Sequence, residues 1–279
     1  MNRILYFLFV LFTSCRVAAQ DSIVLNRTTL EVRIVADDLH VPWELQWGPD
    51  DHLWCSLRNG YLVRIHPAAG SKDTLLDLST TVYQEGENGL LGFAIDPDWK
   101  FGTQYVYVAY TVPAPTPNDP YGAHFYAAKY QYLDSTLQAP QTLAGPIPAW
   151  LIHSGSRLMF LPDKSLLITV GDANRLDAPL SLDSLNGKIL RLWRDGSIPP
   201  NNPYPNSPVY TYGHRNPQGL VRLPDGRIFS SEHGPDSDDE LNALFKGRCW
   251  GWPLIEGFCD TPEELDTCSQ IWAHNPEIA

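Results

Sequence analysis

One short pattern recurs four times along this 279-residue chain and limits the folds that the chain can adopt. Each copy joins a hydrophobic strand to a second strand through a turn that contains Pro-Asp, and the copies begin at Leu45, Gly92, Leu158 and Leu220. The starts lie roughly 50 to 65 residues apart, which is the spacing of β-propeller blades connected by some long loops. The sequence therefore predicts an all-β protein in which small sheets follow one another.

Composition agrees with many short strands. The chain has 20 Gly and 24 Pro, with 43 % hydrophobic and only 19 % charged residues, as expected for strands separated by tight turns. Alternating apolar and polar residues predict further strands over 105–112 and 125–133. Only residues 239–245 are read as a short turn of helix. An array of β-sandwiches is the alternative architecture.

Charge and the amino-terminal segment indicate an exported protein. The formal net charge is −12 without basic runs, which argues against nucleic acid or an anionic membrane as a partner. Residues 1–20 predict a signal peptide, because Arg3 precedes an apolar run too short to span a bilayer. No other segment is expected to cross a membrane. We expect a periplasmic or secreted protein, with a lipid anchor on Cys15 as the alternative.

The cysteines fit export, since disulfides persist in oxidising compartments. Cys259 and Cys268 flank a short acidic loop and can close it as a bridge. For Cys55 and Cys249 the sequence leaves open whether they pair with each other or stay reduced.

Two neighbouring loops contain most of the polar chemistry. Residues 213–220, Gly-His-Arg-Asn-Pro-Gln-Gly-Leu, place an arginine, an asparagine and a glutamine among glycines and a proline, a composition typical of an ordered loop. Residues 232–242, Glu-His-Gly-Pro-Asp-Ser-Asp-Asp-Glu-Leu-Asn, crowd carboxylates around a Gly-Pro turn. Such carboxylates repel one another unless a hard cation such as calcium binds them. Together the loops predict a site for an anionic ligand held by Arg215 and a metal ion.

His153 is the leading candidate for a catalytic base. It lies just before a predicted strand, where a loop at the mouth of a propeller is expected. An imidazole can take a hydroxyl proton near neutral pH while a hydride leaves the same carbon. The alternative is an ordinary loop histidine, with Asp172 capping the end of a strand.

Seven strings in chain order resemble the glucose and sorbosone dehydrogenases that depend on pyrroloquinoline quinone (PQQ), also called soluble aldose sugar dehydrogenases. The strings are residues 88–93 with 96–98, 153–158, 171–172, 187–191 with 195–199, 213–220, 232–242 and 251–253. The resemblance runs from about Leu39 to the last residue. It implies a six-bladed propeller, of which about four blades are counted here. We therefore expect residues 21–279 to form one incomplete propeller domain, with a closed four-bladed ring as the alternative.

The resemblance also assigns the site. It implies that His153 removes the proton from the anomeric hydroxyl of the sugar and that Asp172 orients this histidine. Arg215 and Asn216 match contacts to PQQ, and the guanidinium suits both the carboxylates of PQQ and the charge that develops on its quinone oxygen. Glu87 stands where many relatives have a glutamine that contacts cofactor and sugar. A carboxylate there is expected to repel an anionic quinone and to change affinity or specificity.

The same resemblance implies two calcium sites. Gly234 and Pro235 match residues whose backbone carbonyls hold a calcium ion that bridges to PQQ, and Asp239 and Glu240 match ligands of a second, structural calcium. The family's later lysine and arginine contacts to PQQ have no counterpart in this chain.

The activity implied by the resemblance is oxidation of the C1 hydroxyl of an aldose to a lactone, with the electrons passed to an external acceptor. The sequence leaves open whether the protein forms a homodimer. A non-enzymatic propeller that binds carbohydrate or protein is the alternative, and a calcium-dependent lactonase is a third option. The sequence identifies neither the sugar nor the acceptor.

Overall fold

The computed structural model of the chain describes residues 21–116, 119, 122–257, 259 and 262–273. The predicted signal peptide over 1–20 and the alternative lipid anchor at Cys15 lie outside the described residues. A hairpin of β1 (Asp21–Val24) and β2 (Thr29–Val32) comes first, and four antiparallel sheets follow in chain order.

Each sheet is built from strands that are consecutive in sequence. The first contains β3 (Pro42–Trp47), β4 (Leu53–Leu57), β5 (Tyr61–Ile65) and β6 (Lys72–Asp77). The second contains β7 (Leu90–Ile95), β8 (Tyr105–Pro113), β9 (Ala123–Leu133) and β10 (Thr136–Ala149). The third contains β11 (Leu158–Phe160), β12 (Leu166–Val170), β13 (Lys188–Leu192) and β14 (Val209–Tyr212). The fourth contains β15 (Pro217–Arg222), β16 (Ile228–Glu232) and β17 (Glu240–Leu244).

The sheets are arranged as successive propeller blades. Their first strands pack side by side, β3 against β7, β7 against β11 and β11 against β15. This arrangement confirms the predicted all-β propeller with about four blades and excludes the array of sandwiches. The strands predicted over 105–112 and 125–133 are confirmed as β8 and β9.

The helical assignments from sequence were less successful. The short helical turn predicted over 239–245 is wrong, because these residues form β17, which pairs antiparallel with β16 from Glu240 to Leu244. The ladder to β16 satisfies backbone groups that an isolated turn of helix would leave to water. Sequence reasoning also missed α1 (Pro262–Ala273) and the short 3₁₀ helix Trp99–Phe101.

The largest hydrophobic cluster lies between the second and third blades, and a second cluster lies between the first and second blades. Every residue of β12 and of β13 is buried, and the aromatic rings of Tyr107 and Phe125 from the second blade join the same cluster. Close packing of large side chains from facing sheets makes this the region least tolerant of volume changes. It is a rigid support for the loops that leave these strands.

The recurring Pro-Asp turns have a structural explanation. In the first blade the carboxylate of Asp50 accepts hydrogen bonds from Trp54 Nε1 at 2.9 Å and from Arg64 Nη1 at 3.2 Å. In the third blade Asp163 accepts one from Arg191 Nη2 at 2.5 Å. Arg64 and Arg191 both lie on the third strand of their sheet, so the turn aspartate fastens the first hairpin to that strand in both blades.

Strand direction decides which loops meet. In an antiparallel blade the first strand begins at the end of the sheet where the second strand finishes. The segments that precede β11 and β15 therefore lie at the same end as those that follow β12 and β16, and the Pro-Asp turns lie at the opposite end. This geometry gathers His153, Asp172, Arg215 and the segment 232–240 at one mouth.

The cysteines divide into two kinds. Cys259 and Cys268 are joined by a disulfide, whereas Cys55 and Cys249 are buried and unbonded. Burial raises the pKa of the Cys55 thiol to about 11, which makes it a poor nucleophile.

Within the described part of the chain, no helix has the length and hydrophobicity needed to span a bilayer.

Candidate functional site

A buried histidine–aspartate pair lies at the mouth of the propeller. His153 Nδ1 is 2.7 Å from Asp172 Oδ1, and the two residues are 6 % and 0 % exposed. A carboxylate partner makes Nδ1 the protonated nitrogen, so the hydrogen-bond network assigns the free lone pair to Nε2. The pair has the arrangement of a general base and the group that orients it.

Asp172 is held from three sides. Besides His153, the backbone N–H of Asn174 donates to Oδ1 at 2.7 Å and Trp252 Nε1 donates to Oδ2 at 2.8 Å. Hydrogen bonds to the ionised form are what a buried carboxylate needs in order to stay charged. Sequence reasoning did not single out Trp252 in this role.

The backbone of His153 is held in an unusual conformation. Its φ angle is +64°, a region that non-glycine residues rarely occupy. The His153 N–H donates to Glu87 Oε2 at 2.7 Å, and the absence of a side chain at Gly171 lets the end of β12 approach the His153 carbonyl closely. Glu87 therefore supports the His153 loop, a contact separate from the cofactor contact predicted from sequence.

Arg215 and Asn216 are joined to the His153 loop and to Asp172. Asn216 is 1 % exposed, and its Oδ1 accepts the backbone N–H of Gly155 at 3.0 Å. The backbone carbonyl of Arg215 accepts the N–H of Asp172 at 2.7 Å. The guanidinium carbon of Arg215 lies 5.5 Å from the centre of the Trp252 ring, and Nη1 donates to the His233 carbonyl at 3.2 Å.

Glu232 and His214 belong to the same cluster, and sequence reasoning gave neither a role. Glu232 Oε2 lies 2.9 Å from His214 Nδ1, while Oε1 accepts the backbone N–H groups of Arg215 and, at 3.1 Å, Asn216. A signal existed in the sequence: a hairpin centred on the Pro-Asp turn at 224–225 pairs Pro217 with Glu232, the register that the structure shows.

The predicted calcium loop borders a cleft that Arg215 shares. Gly234, Pro235 and Glu240 line this cleft, together with Glu232, Asp238 and Glu256. Glu240 is bonded through both oxygens, to Asn242 Nδ2 at 2.7 Å and to the Gly257 N–H at 3.0 Å, and burial raises its pKa. The carboxylate of Asp239 bonds instead to the Gly234 N–H at 3.1 Å, which lowers its pKa.

Asp239 and Glu240 thus have separate hydrogen-bond partners. Among the residues that the structure describes, no three His, Cys, Asp or Glu side chains are grouped as a metal site. The ligands predicted at Gly234 and Pro235 are backbone carbonyls, not side chains.

Lys188 is a further buried cation near the mouth. It is fully buried, and its Nζ donates to the carbonyls of Ala178, Pro179 and Asn186 at 2.8–2.9 Å. Burial lowers its pKa to about 7. The Asn186 side chain donates in turn to the Gly171 carbonyl at 3.1 Å, so Lys188 organises the loop beside Asp172 and is not a surface contact for a ligand.

The chain is similar to known proteins of one family. Residues 39–267 match the model of the Glucose / Sorbosone dehydrogenase family. The chain is 36 % identical to quinoprotein glucose dehydrogenase B of Acinetobacter calcoaceticus and 30 % identical to the aldose sugar dehydrogenase YliI of Escherichia coli K12. These alignments cover 82 % and 81 % of this chain but 53 % and 62 % of the two relatives.

The chain is also similar to solved structures of aldose sugar dehydrogenases. The PQQ-bound aldose sugar dehydrogenase of Streptomyces coelicolor is 37 % identical, with a TM-score of 0.73 over 83 % of this chain and 68 % of that one. The apo-form of the soluble aldose sugar dehydrogenase of Escherichia coli superposes equally well, with a TM-score of 0.73 at 29 % identity. The chain thus spans between about half and two thirds of the proteins that it matches.

Proposed function

Because this chain belongs to the glucose/sorbosone dehydrogenase family, we propose that the protein oxidises the C1 hydroxyl of an aldose sugar to a lactone, with PQQ and calcium as cofactors. The electrons pass to an external acceptor. The observation that carries the proposal is the buried His153–Asp172 pair at 2.7 Å, held beside Arg215 at the mouth of the propeller.

His153 supplies the proton chemistry. With Nδ1–H donated to Asp172, Nε2 is the nitrogen that takes the proton of the sugar's anomeric hydroxyl. The imidazolium that forms is stabilised by the carboxylate at 2.7 Å, which does not itself need to become protonated. The two further donors to Asp172, from Asn174 and Trp252, keep that carboxylate in place during the transfer.

Arg215 and Asn216 are the proposed contacts to PQQ, which when bound supplies the two-electron acceptor for the sugar. The donor set fits an anion. Among the described residues, Arg215 hydrogen-bonds through Nη1 to the His233 carbonyl, which leaves its other guanidinium N–H groups to donate to a carboxylate or quinone oxygen.

Calcium is the second part of this proposal. Four carboxylates, those of Glu232, Asp238, Glu240 and Glu256, line the cleft together with Arg215. An anionic cofactor enters such a cleft at lower electrostatic cost when a hard dication lies between the charges. The carbonyls of Gly234 and Pro235 are the proposed ligands of that ion. Asp239 and Glu240 are proposed for a second, structural calcium, which would have to compete with their present hydrogen bonds.

The first experiment is dye-linked oxidation of aldoses by the purified protein, with PQQ and calcium added together, singly or not at all. We expect oxidation only when both are present. Sugar binding by isothermal titration that needs no PQQ, without any oxidation, would favour the non-enzymatic carbohydrate-binding propeller instead.

A matched pair of variants tests the base. His153→Ala should bind PQQ with little change in affinity yet lose most of its turnover, whereas His66→Ala, at an exposed histidine that follows β5 at the end of the first blade opposite the mouth, should behave like the parent. Near-parental turnover of His153→Ala would remove His153 from its proposed role.

A further inference from the structure

Glu232 makes an unusually complete set of hydrogen bonds for a buried carboxylate. Its exposure is 6 %. One oxygen, Oε1, accepts the backbone N–H groups of Arg215 and Asn216, and the other, Oε2, accepts from His214 Nδ1 at 2.9 Å. A buried carboxylate without donors would be strongly destabilising, whereas three donors stabilise the ionised form.

His214 extends this arrangement into the third blade. The side chain is fully buried, and its Nε2 lies 2.8 Å from Thr211 Oγ1. In a ring protonated on Nδ1 alone, Nδ1–H donates to the carboxylate and Nε2 accepts the hydroxyl proton of Thr211. Every polar atom of the imidazole is thereby satisfied in its neutral form, protonated on Nδ1.

The consequence for the mouth follows from where the two backbone donors lie. Fixing the N–H groups of Arg215 and Asn216 on one oxygen fixes the peptide planes on both sides of Arg215. The Arg215 carbonyl then accepts the Asp172 N–H, and Asn216 Oδ1 accepts the Gly155 N–H. Glu232 is thus hydrogen-bonded directly to both proposed cofactor contacts, and it is connected to the histidine–aspartate pair through one further hydrogen bond.

We propose that Glu232 is a positioning residue, which holds the backbone of Arg215 and Asn216 in the conformation that binds the anionic cofactor and is itself oriented by neutral His214 and Thr211. The cofactor part of this inference rests on the proposed function. The hydrogen-bond part concerns the chain alone and is tested separately.

Glu232→Gln separates charge from hydrogen bonding. The amide oxygen can still accept the two backbone N–H groups, but the amide nitrogen then faces His214 Nδ1 and must donate to it. We expect His214 to move its proton to Nε2 and to donate to Thr211 Oγ1, a change of tautomer visible in the ¹⁵N chemical shifts of the ring. In the parent we expect the amide protons of Arg215 and Asn216 to resonate downfield, because they donate to a carboxylate. In the variant they should move upfield, because a neutral oxygen is a weaker acceptor.

Glu232→Ala removes the acceptor, so the downfield displacement of the Arg215 and Asn216 amide protons should disappear. PQQ affinity, measured by fluorescence titration, should fall at least tenfold. The Gln variant should keep PQQ affinity within about threefold of the parent, or about 0.7 kcal/mol, because its amide oxygen can still accept both backbone N–H groups. Glu256→Gln is the matched control, because it removes a carboxylate charge from an exposed residue of the same cleft. It should leave the His214 tautomer and both amide shifts unchanged.

An unchanged His214 tautomer in folded Glu232→Gln, or a doubly protonated His214 in the parent, would overturn the hydrogen-bond assignment. Parental PQQ affinity in folded Glu232→Ala would overturn the positioning role. If the parent itself does not bind PQQ, the proposed function fails, and the NMR measurements still decide whether Glu232 sets the backbone of Arg215 and Asn216.

Discussion

Gly171 gives the sharpest test of how the His153 loop is positioned. It separates the buried strand β12 from Asp172, and its φ angle lies outside the left-handed region, so alanine adds no torsional strain. The perturbation is therefore purely steric. A methyl group at this position overlaps the carbonyl oxygen of His153 and lies 3.1 Å from Asn216 Oδ1.

The size of the effect follows from these contacts. An ordinary carbon–oxygen approach is about 3.3–3.6 Å, so the His153 carbonyl must retreat by on the order of 1 Å. The carbonyl belongs to a loop that is anchored on both sides, by the His153 N–H on Glu87 and the Gly155 N–H on Asn216, so its retreat disturbs these bonds. Overpacking of this kind costs about 1–3 kcal/mol of unfolding free energy, and a displacement of about 1 Å in a catalytic group costs about 10²-fold in rate.

The assay pairs Gly171→Ala with Gly219→Ala. The added methyl group of the control meets the hydroxyl of exposed Ser231, which can rotate, and this glycine too has an ordinary φ angle. Urea unfolding followed by tryptophan fluorescence gives the free energies, and dye-linked sugar oxidation gives the turnover. Equal stability and equal turnover in the two variants would refute the claim that the Gly171–His153 approach positions the base.

Three further predictions follow from the site. Asp172→Asn keeps the shape but supplies the wrong charge and tautomer to His153, so turnover should fall by on the order of 10³–10⁴ while PQQ titration changes little; a loss below tenfold would contradict the role of Asp172. Trp252→Phe removes the indole donor to Asp172 Oδ2 and should cost about 1.5–3 kcal/mol in urea unfolding, which a change below about 0.5 kcal/mol would exclude. Burial lowers the pKa of Lys188 to about 7 from an ordinary 10.5, so above pH 7 the unfolded chain binds a proton that the folded chain lacks, and stability should rise with pH up to about 10.5, by at most about 1.4 kcal/mol per pH unit. Lys188→Met should flatten this slope in urea titrations between pH 7.5 and 9.5, and identical slopes in the two proteins would show that Lys188 does not titrate there.

Much of the fold was predictable because its signal is local and repeated. A strand, a Pro-Asp turn and a second strand form one hairpin, and in the first, third and fourth copies the aspartate of the turn bonds within its own blade, as Asp50 does with Arg64. The failure at 239–245 has the opposite cause. Those residues are a strand only because β16 lies beside them, and pairing with a distant segment overrides the weak local preference of an acidic stretch.

The site residues fall into the same two groups, those with a local sequence signal and those whose role depends on distant segments. His153, Asp172, Arg215 and Asn216 stand in recognisable strings, and the structure brings them together. Glu232 and Trp252 were missed as partners because their roles depend on hairpin register and on a contact across 80 residues of sequence. Whether the segment 234–240 binds calcium is still a prediction, since its carboxylates already bond to neighbouring groups.

Two of the bonds at the mouth share one topological property, which connects the polar residues at the entrances to successive blades. Glu87, which precedes β7, bonds to the His153 loop, which precedes β11, and that loop bonds through Gly155 to Asn216, which precedes β15. Each bond therefore joins the lead-in segment of one blade to that of the next. Arg157, the last residue before β11, also bridges blades. It contacts Glu44 of the first blade and donates from Nε to the Gln218 carbonyl of the fourth blade at 2.9 Å. The geometry of the base is consequently a property of how successive blades are packed. Substitutions at these interblade bonds should lower turnover and stability together, whereas loss of an ion pair within one exposed hairpin, such as Asp225 with Arg227, should affect neither.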